Sequence, residues 1–281
     1  MTLDHAITAL FAGVIGIAVA APLADFRSRH PPAGLMRSSV TGGDVPAVLG
    51  GPMSIAALLA AACLAIVGAG DWEPARLGAL GIAVPALVMI MALAGTWDDL
   101  RGAERARGFG GHAGALVRGR VTGGVIKVVA GALGGLLAGA LVSSGRGVVE
   151  VALLVALMAN LINLLDRGPG RAGKVSLAVA APLVVFGSPA WAVASSGLLG
   201  GLLACFPKDL KARAMLGDAG ANPLGAVLGL GLGVSLPEPA RLVALAVLVA
   251  ANLASERWSF SEVIDRSTPL RMLDRWGTDR K

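Results

Sequence analysis

The chain has 281 residues, of which 55% are hydrophobic and 15% charged, and it carries a formal net charge of +6. Apolar stretches of about twenty residues recur along it, each long enough to cross roughly 30 Å of hydrocarbon. No polar stretch is long enough to fold around its own core, and the basic residues recur in short loops instead of one block. This composition excludes a soluble globular enzyme and a nucleic-acid-binding protein, and it predicts one membrane domain.

In chain order, the apolar runs predict nine transmembrane helices that form an all-α polytopic membrane bundle. The predicted spans are residues 3–24, 45–70, 76–97, 121–144, 147–165, 173–187, 189–206, 223–236 and 239–257. The first run lacks a preceding basic segment and is followed by many spans, which favours a retained helix over a cleaved signal peptide. Residues 1–257 are therefore predicted to be a single transmembrane domain.

The basic residues alternate loop by loop between the two ends of the predicted spans. All but four of the 24 Lys and Arg residues lie in loops 25–44, 98–120, 166–174 and 207–222 and in the tail that begins at residue 257. The positive-inside rule places these segments in the cytoplasm, with the N-terminus outside and the C-terminus inside.

The tail, residues 258–281, is basic and carries apolar residues at helical spacing. Leu270 and Leu273 are interspersed with Arg271 and Arg275, a pattern typical of an amphipathic helix that lies at a membrane interface. Anchoring to anionic lipid headgroups and a role in substrate binding are both open for this segment.

Glycines recur at four-residue spacing in two of the predicted spans. Such ridges let helices approach closely, so we interpret them as packing surfaces and not as chemistry. The six glycines are Gly131, Gly135, Gly139, Gly225, Gly229 and Gly233.

Acidic residues stand where three apolar runs end, as Asp98 with Asp99, Asp166 and Asp218. A carboxylate in the middle of a bilayer costs about 2.5–3.5 kcal/mol on insertion scales, so acids at membrane ends usually pair with cations, metals or a water-filled cavity. The predicted orientation follows from the basic residues alone, and it places all of these acids on the cytoplasmic side. They are therefore candidates for one shared site.

Asp98 and Asp99 follow a predicted helix, and the dipole at its C-terminal end disfavours a negative charge by about 0.3–1 kcal/mol. A Mg²⁺ ion would supply the missing positive charge, because one or two carboxylates commonly hold it together with substrate phosphates. Local pairing with Arg101 and Arg105 is the alternative.

Asn160, Asn163 and Asp166 are spaced by three residues, so on a helix they share one face. Hydrogen bonding between helices explains such a stripe equally well. The nearby Arg171 and Lys174 shift the balance towards anion binding.

Asp218 precedes another predicted span and is an acceptable helix N-cap, which leaves a purely structural role open for it. The three histidines, His5, His30 and His112, are scattered, so no histidine ligand set is visible. A metal site in this chain would have to use oxygen ligands.

In order along the chain, these motifs resemble those of the polyprenyl-phosphate N-acetylhexosamine-1-phosphate transferase superfamily, which makes the first lipid-linked precursors of envelope glycans. The resemblance covers about residues 40–260. It is carried by Val45-Pro46 with Gly50-Gly51, by Gly95-Thr96-Trp97-Asp98-Asp99, by Asn160 with Asn163-Leu164-Leu165-Asp166, and by Gly217-Asp218-Ala219-Gly220.

The resemblance implies transfer of a sugar 1-phosphate from a UDP-sugar to undecaprenyl phosphate, with release of UMP, at the cytoplasmic face of a bacterial inner membrane. It implies Mg²⁺ as cofactor, with Mn²⁺ as an alternative. By matching positions, Asp99 and Asp218 resemble metal or diphosphate ligands, Asp98 resembles the acid that contacts the acceptor phosphate, and Asn163 and Asp166 resemble nucleotide-site residues. Membrane lipids are expected partners, and a homodimer is open.

The predicted site is therefore broad. Its catalytic residues are Asp98, Asp99 and Asp218, its metal ligands are Asp99 and Asp218, and its substrate-binding residues are Asn160, Asn163, Asp166, Arg171, Lys174, Arg120 and Lys127.

Two regions depart from the pattern of the family. Arg167 follows Asp166 in place of a glycine, and Pro169 stands where the family has a second acid. The histidine-rich loop of the family is replaced by residues 252–261, and its final span is absent. A non-catalytic relative that binds polyprenyl phosphate or scaffolds envelope enzymes is thus an alternative, and an ion-coupled transporter is a third reading.

Overall fold

The computed structural model of the protein describes residues 1–38, 43–101 and 122–279. The predicted substrate residue Arg120 and the arginine Arg105 lie outside the described residues. Nine long helices are described: α1 Leu3–Arg29, α2 Gly50–Ala69, α3 Leu80–Arg101, α4 Gly123–Val142, α5 Arg146–Leu165, α6 Arg171–Phe186, α7 Pro189–Leu210, α8 Asp218–Ser235 and α9 Glu238–Arg257. The shorter elements are strands β1 Met36–Ser38 and β2 Asp44–Pro46, the 3₁₀ turns Ala33–Leu35 and Glu73–Ala75, and helices α10 Phe260–Arg266 and α11 Thr268–Arg275.

Each predicted span overlaps one long helix, and the all-α bundle is confirmed. Seven of the nine long helices, all but α6 and α8, are long and apolar enough to cross a membrane. Helix α6 has only 16 residues, and α8 opens on a polar turn that contains Asp218 and Asn222. The count of nine transmembrane spans and the sides of the two termini stay predictions.

Helix α8 lies in the middle of the bundle, and most of its residues are buried. Gly225 and Gly229 face the backbone of α5: a Cβ atom on Gly225 would lie 2.5 Å from the carbonyl oxygen of Met158. Helix α4 meets α5 in the same way, because a Cβ atom on Gly135 would lie 2.8 Å from the carbonyl oxygen of Ala152. The prediction that the glycine ridges serve close packing is confirmed.

A small hairpin covers one end of the bundle. Strands β1 and β2 are antiparallel, with Arg37 opposite Val45. The chain after β2 runs beside the segment that precedes α8, where Ala47 bridges Met215. Three-residue strands are too short to show the alternation from which strands are predicted, so the sequence did not reveal this hairpin. It brings the guanidinium of Arg37 to the carbonyl oxygen of Asp99, to which it donates a hydrogen bond.

The tail forms two short helices where one amphipathic helix was expected. Helix α10 ends before Ser267, and Pro269 stands in the first turn of α11. Proline is tolerated in the first turn of a helix but not inside one, so it starts a new helix here. The apolar side chains of Met272 and Leu273 are exposed, as expected for an amphipathic segment.

Candidate functional site

The predicted acids converge at one end of the bundle. Asp98 and Asp99 lie in the last turn of α3, Asp166 follows α5 directly, and Asp218 is the first residue of α8. The N-terminal part of α4 reaches the same end and contributes Lys127. Four helix ends that are distant in sequence therefore meet in one polar cluster, which we call the acid cluster (Asp98, Asp99, Asp166, Asp218 and Lys127).

Asp99 binds the N-terminus of α8. Its Oδ1 accepts a hydrogen bond from the backbone N–H of Asp218 at 3.3 Å, and its Oδ2 accepts one from Ala219 at 3.0 Å. The first N–H groups of a helix have no partner within the helix and carry the positive end of its dipole. This interaction stabilises a carboxylate that is only 5% exposed, and it joins the end of α3 to the start of α8.

Gly217 shapes the turn that leads into α8. Its φ of +67° lies in the left-handed region, where residues with a side chain are strained. A Cβ atom at this position would also lie 2.9 Å from Oδ2 of Asp99 and 2.9 Å from Cβ of Ala47. The backbone N–H of Gly217 donates to Oδ2 of Asp166 at 2.8 Å. The backbone conformation of Gly217 thus links Asp166, which accepts its N–H, to Asp218, which follows it in the chain.

Lys127 bridges the other two acids. Its Nζ lies 2.7 Å from Oδ2 of Asp98 and 2.7 Å from Oδ2 of Asp218. The lysine side chain is 22% exposed, so the two ion pairs are partly shielded from solvent. Lys127 thus lies in the acid cluster, and its role in binding substrate stays a prediction.

Asp209, near the end of α7, is a residue that the sequence analysis missed. It is 2% exposed and lines a small cavity together with Asp166. Burial raises the pKa of Asp166 well above its ordinary value, and the nearby charge of Asp209 raises it further. The signal was present in the sequence, because Asp209 also stands where an apolar run ends.

Asn160 and Asn163 share a helix face, as predicted, but Asn160 serves a contact between helices. Its Nδ2 donates to Oδ1 of Asn252 on α9 at 2.6 Å. Asn252 in turn donates to the carbonyl oxygens of Leu157 at 3.2 Å and Leu248 at 2.8 Å. This is the interhelical alternative that the sequence left open. Asn163 lies one turn closer to the acid cluster and is half-buried.

Arg171 and Lys174 contact the C-terminal tail. Arg171 pairs with Asp274 and donates from Nη1 to Oγ of Ser261 at 2.9 Å. Nζ of Lys174 donates to the carbonyl oxygens of Leu273 at 3.1 Å and Asp274 at 2.6 Å. These two basic residues are thus not part of the acid cluster in this structure, and donor binding by them stays a prediction.

The acid cluster offers oxygen atoms to a cation. Among the described residues, no group of three or more His, Cys, Asp and Glu side chains has the arrangement of a preformed metal centre. The chemistry of the donors still fits Mg²⁺, which carboxylates hold together with phosphates and water. The ammonium of Lys127 between Asp98 and Asp218 shows that positive charge is stabilised at this position.

Comparison of the chain with protein-family models finds no matching family, and comparison with curated proteins finds no match either.

Proposed function

We propose that the chain is a Mg²⁺-dependent phosphoglycosyl transferase similar to the polyprenyl-phosphate N-acetylhexosamine-1-phosphate transferases. It would transfer a sugar 1-phosphate from a UDP-sugar to undecaprenyl phosphate and release UMP at the cytoplasmic face of a bacterial inner membrane. The observation that carries the proposal is the acid cluster, in which motifs from α3, α5 and α8 meet although about 50 to 120 residues separate them.

The charge of the two substrates explains why such a cluster suits this reaction. Donor and acceptor are both anionic, so positive charge must offset their repulsion. A bound Mg²⁺ would neutralise the phosphates and stabilise the charge that develops on the leaving group. Lys127 supplies one fixed positive charge beside Asp98 and Asp218, and Asp99 holds the α8 backbone that carries Asp218.

Asp98 positions the acceptor in this proposal and does not deprotonate it. If the lipid phosphate resembles other phosphate monoesters, its second pKa is about 6, so most of it is a dianion at pH 7. The nucleophile therefore needs no general base. Lys127 holds Oδ2 of Asp98, which orients the carboxylate towards the cluster.

The proposal includes the topology of nine transmembrane spans, with the N-terminus outside and the C-terminus in the cytoplasm. The described basic residues Arg37, Arg167 and Lys208 of these loops support it, because they lie at the same end of the bundle as the acid cluster. The Arg146–Glu238 ion pair and the Arg241–Glu150 ion pair lie at the opposite end, where α5 and α9 begin.

A specific observation favours a second candidate, a non-catalytic relative that binds polyprenyl phosphate. The acids of the cluster already have partners within the protein, since Asp99 and Asp166 accept backbone N–H groups and Asp98 and Asp218 contact Lys127. These contacts stabilise the fold, so they explain the acid cluster even in a protein that catalyses no reaction.

One assay separates the two candidates. Purified protein in detergent is incubated with undecaprenyl phosphate, Mg²⁺ and a panel of UDP-sugars, and UMP release is measured. We expect release that EDTA abolishes and that Asp218→Asn reduces at least about a hundredfold, as for loss of a group that stabilises developing charge. Asp25 is a partly exposed acid near the same end of the bundle that pairs with Arg29 and Lys208, so Asp25→Asn is the matched control and should leave release unchanged. Binding of undecaprenyl phosphate without UMP release from any donor would support the second candidate.

A further inference from the structure

A small cavity lies beside the acid cluster, between the loop after α5 and the loop after α7. Its lining includes Asp166 and Asp209 together with Gly168, Pro169 and Met215. Its volume is about 10 Å³, which is room for roughly one water molecule or one ion.

Asp209, which lines this cavity, has one carboxylate oxygen without a hydrogen-bond partner among the described residues. Asp209 is 2% exposed, and no described residue donates a hydrogen bond to its Oδ2. Its other polar contact is the backbone N–H of Gly170. A carboxylate only accepts hydrogen bonds, so a buried and unsatisfied carboxylate oxygen requires a donor or a cation.

The basic side chains nearby form no described ion pair with the two carboxyl groups. Lys174 is close enough for its charge to act on Asp209, but its Nζ donates to carbonyl oxygens of the tail. Arg167 also lines the cavity, but its side chain is exposed, and no described ion pair joins it to Asp166 or Asp209. Two buried carboxyl groups therefore line a cavity of ionic size without a described ion pair to either of them.

We propose that Asp166 and Asp209 bind one divalent cation in this cavity, separate from the ion that Asp99 and Asp218 would hold. Two carboxylates balance the charge of one divalent ion, and oxygen ligands suit hard cations. Pro169 also lines the cavity. Asp209 thus places a carboxylate from α7 beside the position where the similar transferases have their second acid.

The cation would also hold the α8 turn in place. Asp166 accepts the backbone N–H of Gly217, so an ion that fixes Asp166 fixes the residue before Asp218. This positioning effect on Asp218 rests on the proposed function, whereas binding of the cation does not.

The test uses the full chain in detergent, stripped with EDTA and titrated with Mn²⁺ in the absence of any substrate. Electron paramagnetic resonance counts the bound Mn²⁺, and thermal unfolding gives the melting temperature. We expect Asp209→Asn to bind one Mn²⁺ fewer than the wild type and to show a smaller rise in melting temperature on addition of Mn²⁺. In EDTA, Asp209→Asn should melt at least as high as the wild type, because it lacks the unpaired buried charge.

Two further variants serve as a second test of the site and as a control. Asp166→Asn should lose the same Mn²⁺, and it replaces Asp209→Asn as the test variant if the latter does not fold. Asp218→Asn should keep this Mn²⁺ even where it abolishes UMP release, so failure of the proposed function and failure of this site are distinguishable. Equal numbers of bound Mn²⁺ in the wild type and in the Asp209 and Asp166 variants would overturn the proposal and assign the cavity to a water molecule or a shared proton.

Discussion

The guanidinium of Arg171 and the carboxylate of Asp274 form a two-point ion pair, with Nε 2.7 Å from Oδ1 and Nη2 3.1 Å from Oδ2. The two side chains are 4% and 3% exposed, although 103 residues separate them in sequence. Asp274 is also the one buried residue of α10 and α11. Phe260 of α10 packs against the apolar core of the bundle, but the fully buried contact of the tail is this ion pair.

Asp274→Asn should release the tail from α6. Removing one partner of a buried ion pair costs about 3–5 kcal/mol, because the other charge stays buried and unpaired. Since α10 and α11 have few other buried contacts, we expect local detachment, measured as faster amide exchange and proteolysis after Arg257. Asp265→Asn removes an exposed charge from the same tail and should change neither rate. Equal protection in both variants would contradict a charge-based attachment.

Arg171→Ala should raise the KM for the donor more than it lowers kcat, if Arg171 reaches the donor once substrates bind. Asp274→Asn separates this role from the tail contact, because it frees the tail and keeps Arg171. If the KM for the donor rises in Arg171→Ala but not in Asp274→Asn, Arg171 contacts the donor. The same change in both variants would mean that Arg171 acts through the tail.

Lys127→Met should reduce UMP release strongly, by roughly 10²–10³-fold, as expected for loss of a group that stabilises charge in the site. The change leaves Asp98 and Asp218 facing each other without the shared ammonium. Lys127→Arg keeps the charge with a different shape and should recover part of the activity. Full activity in Lys127→Met would exclude Lys127 from the reaction.

Asp98→Asn tests whether this side chain positions the acceptor or deprotonates it. We expect activity to fall and to stay low across pH, because the acceptor phosphate is already ionised above about pH 6. The measurement is UMP release from pH 6 to pH 9 in the variant and in the wild type. Recovery of the variant at high pH would indicate that Asp98 is a general base.

Gly217→Ala should destabilise the protein by about 1–3 kcal/mol, from the left-handed backbone and the contacts of the new methyl group. Gly78→Ala is the matched control, because Gly78 has a φ of +53° but open space around it. Gly78→Ala should lower the melting temperature only through the strain of the positive φ. A larger loss in Gly217→Ala then measures the crowding of the new methyl group against Asp99 and Ala47, and equal losses in the two variants would contradict that crowding.

Much of the architecture is predictable because it depends on local composition. Apolar runs determine where helices form, and the cost of burying charge in lipid keeps acids such as Asp98 and Asp218 at helix ends. Glycine spacing indicates which helix faces approach closely, as at Gly225 and Gly135. These properties require only the order of residues along one helix.

The partners of the polar residues were decided by tertiary structure. Lys127 lies between two acids from other helices, Asn160 pairs with Asn252, and Arg171 pairs with Asp274. Each pair joins residues that are distant in sequence, so its formation depends on how the helices pack and on which polar atoms lose water together. The sequence by itself determined the helices and the acids at their ends, whereas the packing of α3, α4, α5, α7 and α8 decided which charges meet and left one oxygen of Asp209 without a partner among the described residues.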